Sequence, residues 1–431
     1  MPDGIDEMKS RIGILVCLVV SIILGLSSCS TPALVTNQNL SYIYNKEQSY
    51  LHPEYVVFNR NDSVSALYFR INSKELLFTR SSESNYSNAK FSLSFSIVQD
   101  YENKSIVDSG SVQLIASDSV KVDYYYGYTE LKVAKGSKML AIVKFSDNNR
   151  NQFIQNFIPV DRTKSFNPQD IMVVSPGDTM PIFDLSIGKG QEVELKCNYP
   201  EGQTFFVELY GKEFPLPAPP FAIVEGQASD LKPDSSFYLP FDRAARFTLP
   251  SRGLYLIRRK PSDTGGFTLK RYYDNFPNVK DPEIMLAPLR FLSSKQEFKE
   301  IAESPTRRAA IEKFWIECSG SQDRARDLIK IFYNRVKDSN VYFTSYLEGW
   351  KSDRGLIYLI FGPPTIVYRN SASEQWIYGS ESSLLSLSFT FLKMENPFSD
   401  NDYSLSRNTT YKNQWYQAVD SWRQGRVWLD N

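Results

Sequence analysis

Few side chains in this sequence are suited to nucleophilic or metal chemistry. His52 is the only histidine, so a nucleophile assisted by a histidine base would have to use that one residue. Beyond residue 30 the cysteines are Cys197 and Cys318, which form neither a Cys-x-x-Cys pair nor a set with zinc-ligand spacing. Asp353 and Glu374 remain as two carboxylates that could flank a cleft in the manner of a glycosidase. Because nothing in their spacing requires such a pair, we expect no catalytic residue, no metal and no cofactor.

Cys29 has a different chemistry. Leu26-Ser27-Ser28-Cys29 follows an apolar run at residues 12–26, which is preceded by two basic residues, Lys9 and Arg11. A basic start, a short apolar run and small residues at a cleavage site are typical of a secretory signal. A cysteine directly after Leu-Ser-Ser resembles the lipobox of bacterial lipoproteins. The resemblance implies that residues 1–28 are a signal peptide and that acyl chains on Cys29 attach the protein to a membrane.

The alternative is an uncleaved transmembrane anchor. The 15 residues of the apolar run would form a helix of about 22 Å, which is shorter than the ~30 Å hydrocarbon core. We therefore favour the lipoprotein signal. We expect translation to start at Met8, because residues 1–7 include three acidic residues where a signal peptide should be basic. Ser30, rather than aspartate, follows the lipid acceptor, and no acidic cluster resembles an export tag. These features predict an outer-membrane protein that faces the periplasm.

Composition restricts the class of partner. The chain has 49 basic and 49 acidic residues, with no block of lysine or arginine. A nucleic-acid partner is not expected, because it would require a basic surface. All six tryptophans lie from Trp315 onward, so the C-terminal third differs in kind from the rest.

Alternating apolar and polar residues predict a first β region. Phe91, Leu93, Phe95 and Ile97 alternate with serines, as expected for a strand with one buried face. Further short strands are predicted at residues 65–71, 112–115, 131–133 and 139–145. We expect a polar tether at residues 29–49 and an antiparallel β-sandwich at residues 50–162.

A second β region is predicted at residues 163–284. Strands at 193–197 and 204–210 flank Pro200-Glu201-Gly202, and strands at 254–259 and 267–273 flank a second turn, so each pair is typical of a hairpin. The proline-rich residues 214–220 are either a polyproline ligand or a rigid loop between two sheets. We favour the loop, and a second β-sandwich-like domain.

The C-terminal residues 285–431 are predicted to form an α+β domain. Helices are expected to begin at Ser304-Pro305 and at Ser321, and another at about residues 415–423. Strands are predicted at residues 356–361, 375–378 and 385–391. The fold class is therefore mostly β plus α+β: two tandem antiparallel β-sandwich-like domains followed by an α+β domain.

One motif in this domain is specific. Gly349-Trp350-Lys351-Ser352-Asp353-Arg354-Gly355 precedes an apolar run that ends at Gly362-Pro363-Pro364, and Glu374-Gln375-Trp376 follows. With Phe314-Trp315 and Trp422-Arg423, this order resembles the GWxTD domain of bacterial envelope lipoproteins over about residues 290–425. Ser352 replaces the usual threonine and keeps its hydroxyl. The resemblance implies an envelope location and no established activity.

The motif residues have two interpretations. Gly349 and Gly355 would permit positive φ at the two ends of a tight loop. The side chains of Ser352 and Asp353 would then bond to the backbone of that loop. In this structural interpretation the motif fixes a loop onto a central strand. In the alternative, the loop recognises a partner directly.

The larger motif side chains extend both interpretations. Trp350 is expected to plug one end of the sheet while its N–H finds an acceptor, and Arg354 to pair with Glu348 or Glu374. Exposed tryptophans such as Trp376 would instead stack on a glycan or a peptide.

These features together predict a lipid-anchored envelope protein that acts as a structural or assembly subunit. Its expected partners are the outer membrane, through the lipid, and other envelope proteins. The competing hypothesis is a glycan- or peptidoglycan-directed protein, either a binding protein or a carboxylate-based hydrolase.

The lipid anchor makes the first testable prediction. Cys29→Ala should abolish incorporation of labelled palmitate and leave the precursor uncleaved, because no other thiol lies directly after the Leu-Ser-Ser sequence. Cys17→Ala, within the apolar run, is the matched control and should still be labelled and cleaved. A Cys29→Ala protein that still incorporates fatty acid would contradict the prediction.

Overall fold

The structure is a computed structural model that describes residues 38–80, 86–164, 166–200, 202–212, 214–223, 232–242, 245–383 and 386–428. The predicted signal peptide, Cys29 and the first part of the predicted tether lie outside these residues. No helix within the described ranges is long and apolar enough to cross a membrane. The described chain is mostly antiparallel sheet with helices toward the C-terminus, which confirms the predicted fold class.

Two sheets form the first β region. One consists of β1 (Glu54–Asn59), β2 (Val64–Asn72) and β6 (Tyr124–Lys132). The other contains β3 (Thr79–Arg80), β4 (Ser87–Val98), β5 (Asp108–Ser117), β7 (Lys138–Asp147) and β8 (Gln152–Asp161). The apolar residues of β4 are buried and share a core with Leu67 and Phe69 of β2. This shared core is that of the predicted sandwich.

The second β region also has two sheets. One contains β9 (Ile171–Val174), β10 (Val193–Cys197) and β13 (Arg246–Phe247). The other contains β11 (Thr204–Tyr210), β12 (Ser235–Pro240), β14 (Gly253–Arg258) and β15 (Phe267–Arg271). The predicted β14–β15 hairpin is confirmed. The hairpin predicted between β10 and β11 is wrong, because these strands belong to different sheets.

The C-terminal region combines helices with one sheet. Its α-helices are α1 (Pro282–Leu286), α2 (Lys295–Glu303), α3 (Arg307–Ser319), α4 (Gln322–Phe343), α5 (Asp353–Phe361) and α6 (Lys412–Arg423). The sheet has the order β16 (Ile366–Arg369), β17 (Ser373–Tyr378), β18 (Leu387–Lys393) and β19 (Tyr403–Leu405), with antiparallel pairing throughout. Short 3₁₀ helices lie at Ser41–Ile43, Lys46–Gln48, Ser73–Glu75, Pro168–Asp170, Ala287–Phe291, Gly349–Lys351 and Thr409–Tyr411.

The strand predicted at residues 356–361 is a helix. These residues form the end of α5, and all of them are buried. Because every face of this part of the helix is buried, its sequence is a continuous apolar run. A short apolar run does not distinguish a buried strand from a buried helix. The cap residues were the better signal, because Ser352 caps the N-terminus of α5 and Gly362, with φ +88°, follows its last residue.

The long helix α4 begins as predicted, with the Ser321 side chain accepting a hydrogen bond from the Arg324 amide. The start predicted at Ser304-Pro305 is two residues early. Ser304 follows the last residue of a separate helix, α2, and α3 begins only at Arg307.

The largest core joins the C-terminal region to the beginning of the described chain. It includes Leu40 and Tyr44, from the predicted tether, and Val98, Leu140 and Phe157, from the first sandwich. All five side chains are buried. Residues 38–49 are therefore packed against the rest of the protein and do not extend from it, because their apolar side chains fill this core.

The proline-rich residues 214–220 form an irregular loop that connects β11 and β12, which are neighbours in one sheet. The Phe214 ring lies 5.0 Å from that of Tyr346, and Arg407 donates to the Ala218 carbonyl at 3.1 Å. The segment is thus a loop, as favoured, but it packs on the C-terminal region and does not cross between sheets.

Candidate functional site

The motif forms the connection between α4 and α5. Gly349–Lys351 is a single 3₁₀ turn, and Ser352 then caps α5. A Cβ atom at Gly349 would overlap the Ser339 carbonyl of α4, and one at Gly355 would overlap the Gly349 carbonyl. Neither glycine has positive φ, so the expected conformational role is wrong. Both glycines are needed because three stretches of backbone approach each other closely here.

Ser352 behaves as the sequence predicts. Its hydroxyl donates to the Gly349 carbonyl at 2.7 Å and accepts from the Gly355 amide at 3.0 Å. The hydroxyl therefore closes the turn and satisfies one of the free amides at the start of α5. Threonine, the usual residue in this motif, has the same hydroxyl.

Asp353 bonds outside its own loop, contrary to the prediction. One carboxylate oxygen accepts from the Leu405 amide at 2.7 Å, and both oxygens pair with Arg407. Asp353 also lies in the first turn of α5, where a negative charge stabilises the helix dipole. It therefore joins the motif to β19 and to the chain that follows it.

Trp350 is buried and its indole N–H has an acceptor, as predicted. Nε1 donates to Glu348 at 2.7 Å, and the ring packs edge-on against Phe291 at 6.2 Å between centroids. Its backbone amide donates to Asn340 of α4 at 3.4 Å, and Asn340 in turn donates to the Tyr273 hydroxyl at 2.9 Å. Trp350 thus packs among helices and does not plug the sheet as expected, and Asn340 connects it to the end of the second β region.

Of the two carboxylates predicted for Arg354, Glu374 is its partner, at 3.1 Å, and both residues are buried. A second arginine, Arg369 of β16, contacts the same carboxylate at 2.7 Å. The Tyr44 hydroxyl lies 3.0 Å from both oxygens of Glu374 and also accepts from Arg354 at 3.3 Å. We call these four residues the Glu374 cluster.

Further contacts surround Arg354 and Glu374 in the cluster. Nη2 of Arg354 donates a hydrogen bond to the Asn401 carbonyl at 3.0 Å. The guanidinium carbon lies 4.0 Å from the centre of the Tyr403 ring. Trp376 donates to Glu374 at 3.2 Å, and its ring is tilted against that of Tyr44 at 5.3 Å between centroids. A buried carboxylate with two guanidinium partners and further donors is well compensated for its lost hydration.

The cluster holds Glu374 ionised. Burial alone would raise the pKa of Glu374, but the charges of Arg369 and Arg354 and the hydrogen bonds from Tyr44 and Trp376 lower it overall. Burial would lower the pKa of Arg369, whereas Glu374 raises it well above its usual range. Glu374 is therefore a poor general acid at neutral pH.

The remaining motif residues end α5 and position the sheet. Gly362 accepts a hydrogen bond from the Tyr378 hydroxyl at 2.8 Å through its carbonyl. Pro363 and Pro364 follow, so they terminate a helix and not the predicted strand. Pro364 and Trp376 are buried.

Sequence reasoning missed the partners that complete the site. Tyr44 lies 330 residues before Glu374, and no local pattern links a tyrosine in an apparently polar segment to this carboxylate. Asn401 and Arg407 were missed for the same reason. Arg369 lies opposite Glu374 across the β16–β17 pair and was missed because no strand was predicted at residues 366–369. The sequence predicted a partner for Arg354 only, as one of two carboxylates, and indicated no cation for Asp353.

The arrangement does not bring Asp353 and Glu374 together at a cleft. Each carboxylate has its own arginine partners, and Glu374 has no exposed surface. Four of the tryptophans, Trp315, Trp350, Trp376 and Trp422, are almost fully buried and so unavailable for stacking on a glycan. Within the described residues, no group of three histidine, cysteine, aspartate or glutamate side chains is placed to hold a metal ion.

The cluster predicts a graded loss of stability. Glu374→Gln leaves two buried guanidiniums without their counter-charge and should lower the free energy of unfolding by about 3–5 kcal/mol. Tyr44→Phe keeps the ring and removes only the hydroxyl, so it should cost about 1–3 kcal/mol. Urea denaturation followed by tryptophan fluorescence would measure both. Arg308→Gln, which breaks only the exposed pair with Glu312, is the control and should change little.

Acid titration of the same proteins separates the charge from the packing. Because the folded-state pKa of Glu374 is lowered, its contribution is complete above the ordinary value of 4.5 and is lost as the pH falls through the folded value. Wild type should therefore lose stability more steeply in acid than Glu374→Gln does. Equal slopes, or a neutral effect of Glu374→Gln at pH 7, would contradict the described cluster.

Comparison with known proteins agrees with the motif. The family model of the GWxTD domain matches residues 253–424, which begins at β14 and so includes the β14–β15 hairpin ahead of the helices. No curated protein gives a significant match to the chain. Residues 253–424 of this chain therefore form a GWxTD domain.

Proposed function

We propose that this chain is a lipid-anchored protein of the outer membrane, facing the periplasm, that acts as a structural or assembly subunit for other envelope proteins. The anchor is Cys29, and the GWxTD domain with the two β regions is the body that meets the partners. The motif maintains the fold of that body and is not a reaction centre.

The observation that carries this proposal is the contact between residues 38–49 and the GWxTD domain. Leu40 donates its amide to the Val367 carbonyl at 2.8 Å, and the Asn39 side chain exchanges hydrogen bonds with Thr365 and Val367. Four residues later, Tyr44 enters the Glu374 cluster. If Cys29 is lipidated, the ten residue steps to Asn39 span at most about 35 Å. The domain would then be held close to the membrane surface in a defined attachment, as suits a subunit of a larger assembly.

The hydrolase alternative has little support, since Glu374 is buried between arginines and Asp353 is paired with Arg407. Glycan binding keeps one favourable observation, outside the GWxTD domain. Tyr126 and Tyr128 of β6 are exposed on one face of their strand, and Arg60 lies 4.6 Å from the Tyr128 ring centre. Exposed aromatic rings beside charged groups can stack on a sugar, so retention on peptidoglycan is the competing outcome.

Cross-linking in cells with an altered anchor length tests the proposal. Wild type, cross-linked mildly and extracted in detergent, should enrich a reproducible set of envelope proteins identified by mass spectrometry. A flexible insertion of about 20 Gly/Ser residues after Ser30 should reduce that set, because it lets the domain move away from the membrane. The same insertion after Asn431 is the control.

Two results would contradict the assembly role. One is that the insertion after Ser30, the insertion after Asn431 and an unrelated lipidated domain all cross-link to the same set of proteins. The other is retention on purified peptidoglycan without enrichment of any envelope protein, which would favour glycan binding.

A further inference from the structure

A cleft lies between the second β region and the outer side of the GWxTD motif. Its walls are residues 210–212, 214, 216, 252–254 and 271–273 on one side, and α1 with residues 346–348, 350 and 351 on the other. Its volume is about 330 Å³, within the range of sites that bind small ligands or side chains. We propose that this cleft binds an acidic peptide segment of a partner protein. This inference rests on the assembly role proposed above and assigns the chemistry of the contact.

One part of the cleft is aromatic. The Phe214 and Tyr346 rings meet at 5.0 Å, and Tyr210 packs on Phe398 at 4.9 Å, each in an edge-to-face arrangement. These rings are held by one another, so an apolar side chain of a ligand meets a surface that is already ordered. Rigid aromatic rings of this kind are common anchors in protein interfaces.

Among the described residues that line the cleft, cations outnumber carboxylates. The cations are Lys212, Arg252, Arg271 and Lys351, and the carboxylates are Glu283 and Glu348. Lys351 pairs with Glu348 at 3.1 Å, Glu283 pairs with Arg307 outside the cleft, and Lys212 pairs with Asp234 at 3.0 Å.

Arg252 and Arg271 are the two cations of the cleft without an ion pair in the described part of the chain. Neither meets a carboxylate among the residues that the structure describes. Arg271 is 7% exposed and donates to the Leu249 carbonyl at 2.7 Å. Its Nε has no hydrogen-bond partner among the described residues. A buried guanidinium without a counter-charge is costly, and with exposed Arg252 it leaves the cleft positive.

This combination favours one class of ligand. Cations beside an aromatic wall suit a carboxylate side chain that is followed by an apolar one, as in an acidic peptide. Complementary charge increases the rate of association and excludes basic partners. An anionic lipid surface shares the negative charge, but it would not fill a cleft lined by aromatic rings.

Fluorescence anisotropy on the full mature chain tests the site. The probes are two labelled hexapeptides, Glu-Phe-Glu-Leu-Glu-Phe and its analogue with lysine at every glutamate. The acidic peptide should bind and the basic one should not, with affinity falling as salt is raised. Arg252→Glu should weaken binding by about tenfold or more. Arg308→Glu makes the same charge change on exposed α3, away from the cleft, and should bind as wild type.

Arg252 is exposed and has no partner among the described residues, so the variant should fold normally, which an unchanged melting temperature would verify. Equal binding of the two peptides, or wild-type affinity in Arg252→Glu, would overturn the proposal. Binding to phosphatidylglycerol vesicles without binding to the acidic peptide would also overturn it and assign the charge to a membrane. If Arg252→Glu still cross-links the envelope partners in cells, the cleft is not their site, while the assembly role stands.

Discussion

The buried pairing of Glu374 with Arg354 and Arg369 is the interaction on which this structure depends. A carboxylate with no exposed surface is stable only when its lost hydration is replaced, and here two guanidiniums, a tyrosine hydroxyl and an indole N–H replace it. Arg354 comes from the motif helix, Arg369 and Glu374 from adjacent strands, and Tyr44 from the start of the described chain. One charge therefore fixes the positions of three separate parts of the sequence.

The same logic explains the composition of the motif. Its glycines allow α4, the 3₁₀ turn and α5 to approach more closely than any side chain would permit. Ser352 closes the turn, Asp353 holds β19, and Arg354 reaches the buried carboxylate. The Ser352 hydroxyl, both Asp353 oxygens and both terminal nitrogens of Arg354 bond within the protein. These contacts make the motif a joint between α4, α5 and β19.

The sequence predicted strands and helix starts that have a local pattern, and it missed contacts between residues that are distant in the chain. Alternation located β4 because one face of this strand is buried, and Ser321 marked the start of α4. The error at α5 arose because an all-apolar run has no period, so only its caps distinguished helix from strand. Residues 38–49 were interpreted as a tether because their composition is polar. Tyr44 reverses that interpretation through partners more than 300 residues away, which no local rule contains.

Native-state hydrogen exchange at the Leu40 amide tests the central claim most directly, namely that the Glu374 cluster fastens the start of the described chain to the GWxTD domain. That amide donates to the Val367 carbonyl and can be protected only while the segment is docked. The account predicts that Leu40 exchanges as slowly as the amides of β17, and that Tyr44→Ala releases Leu40 while β4 in the first sandwich stays protected. An unprotected Leu40 amide in the wild type, beside a protected β17, would contradict it.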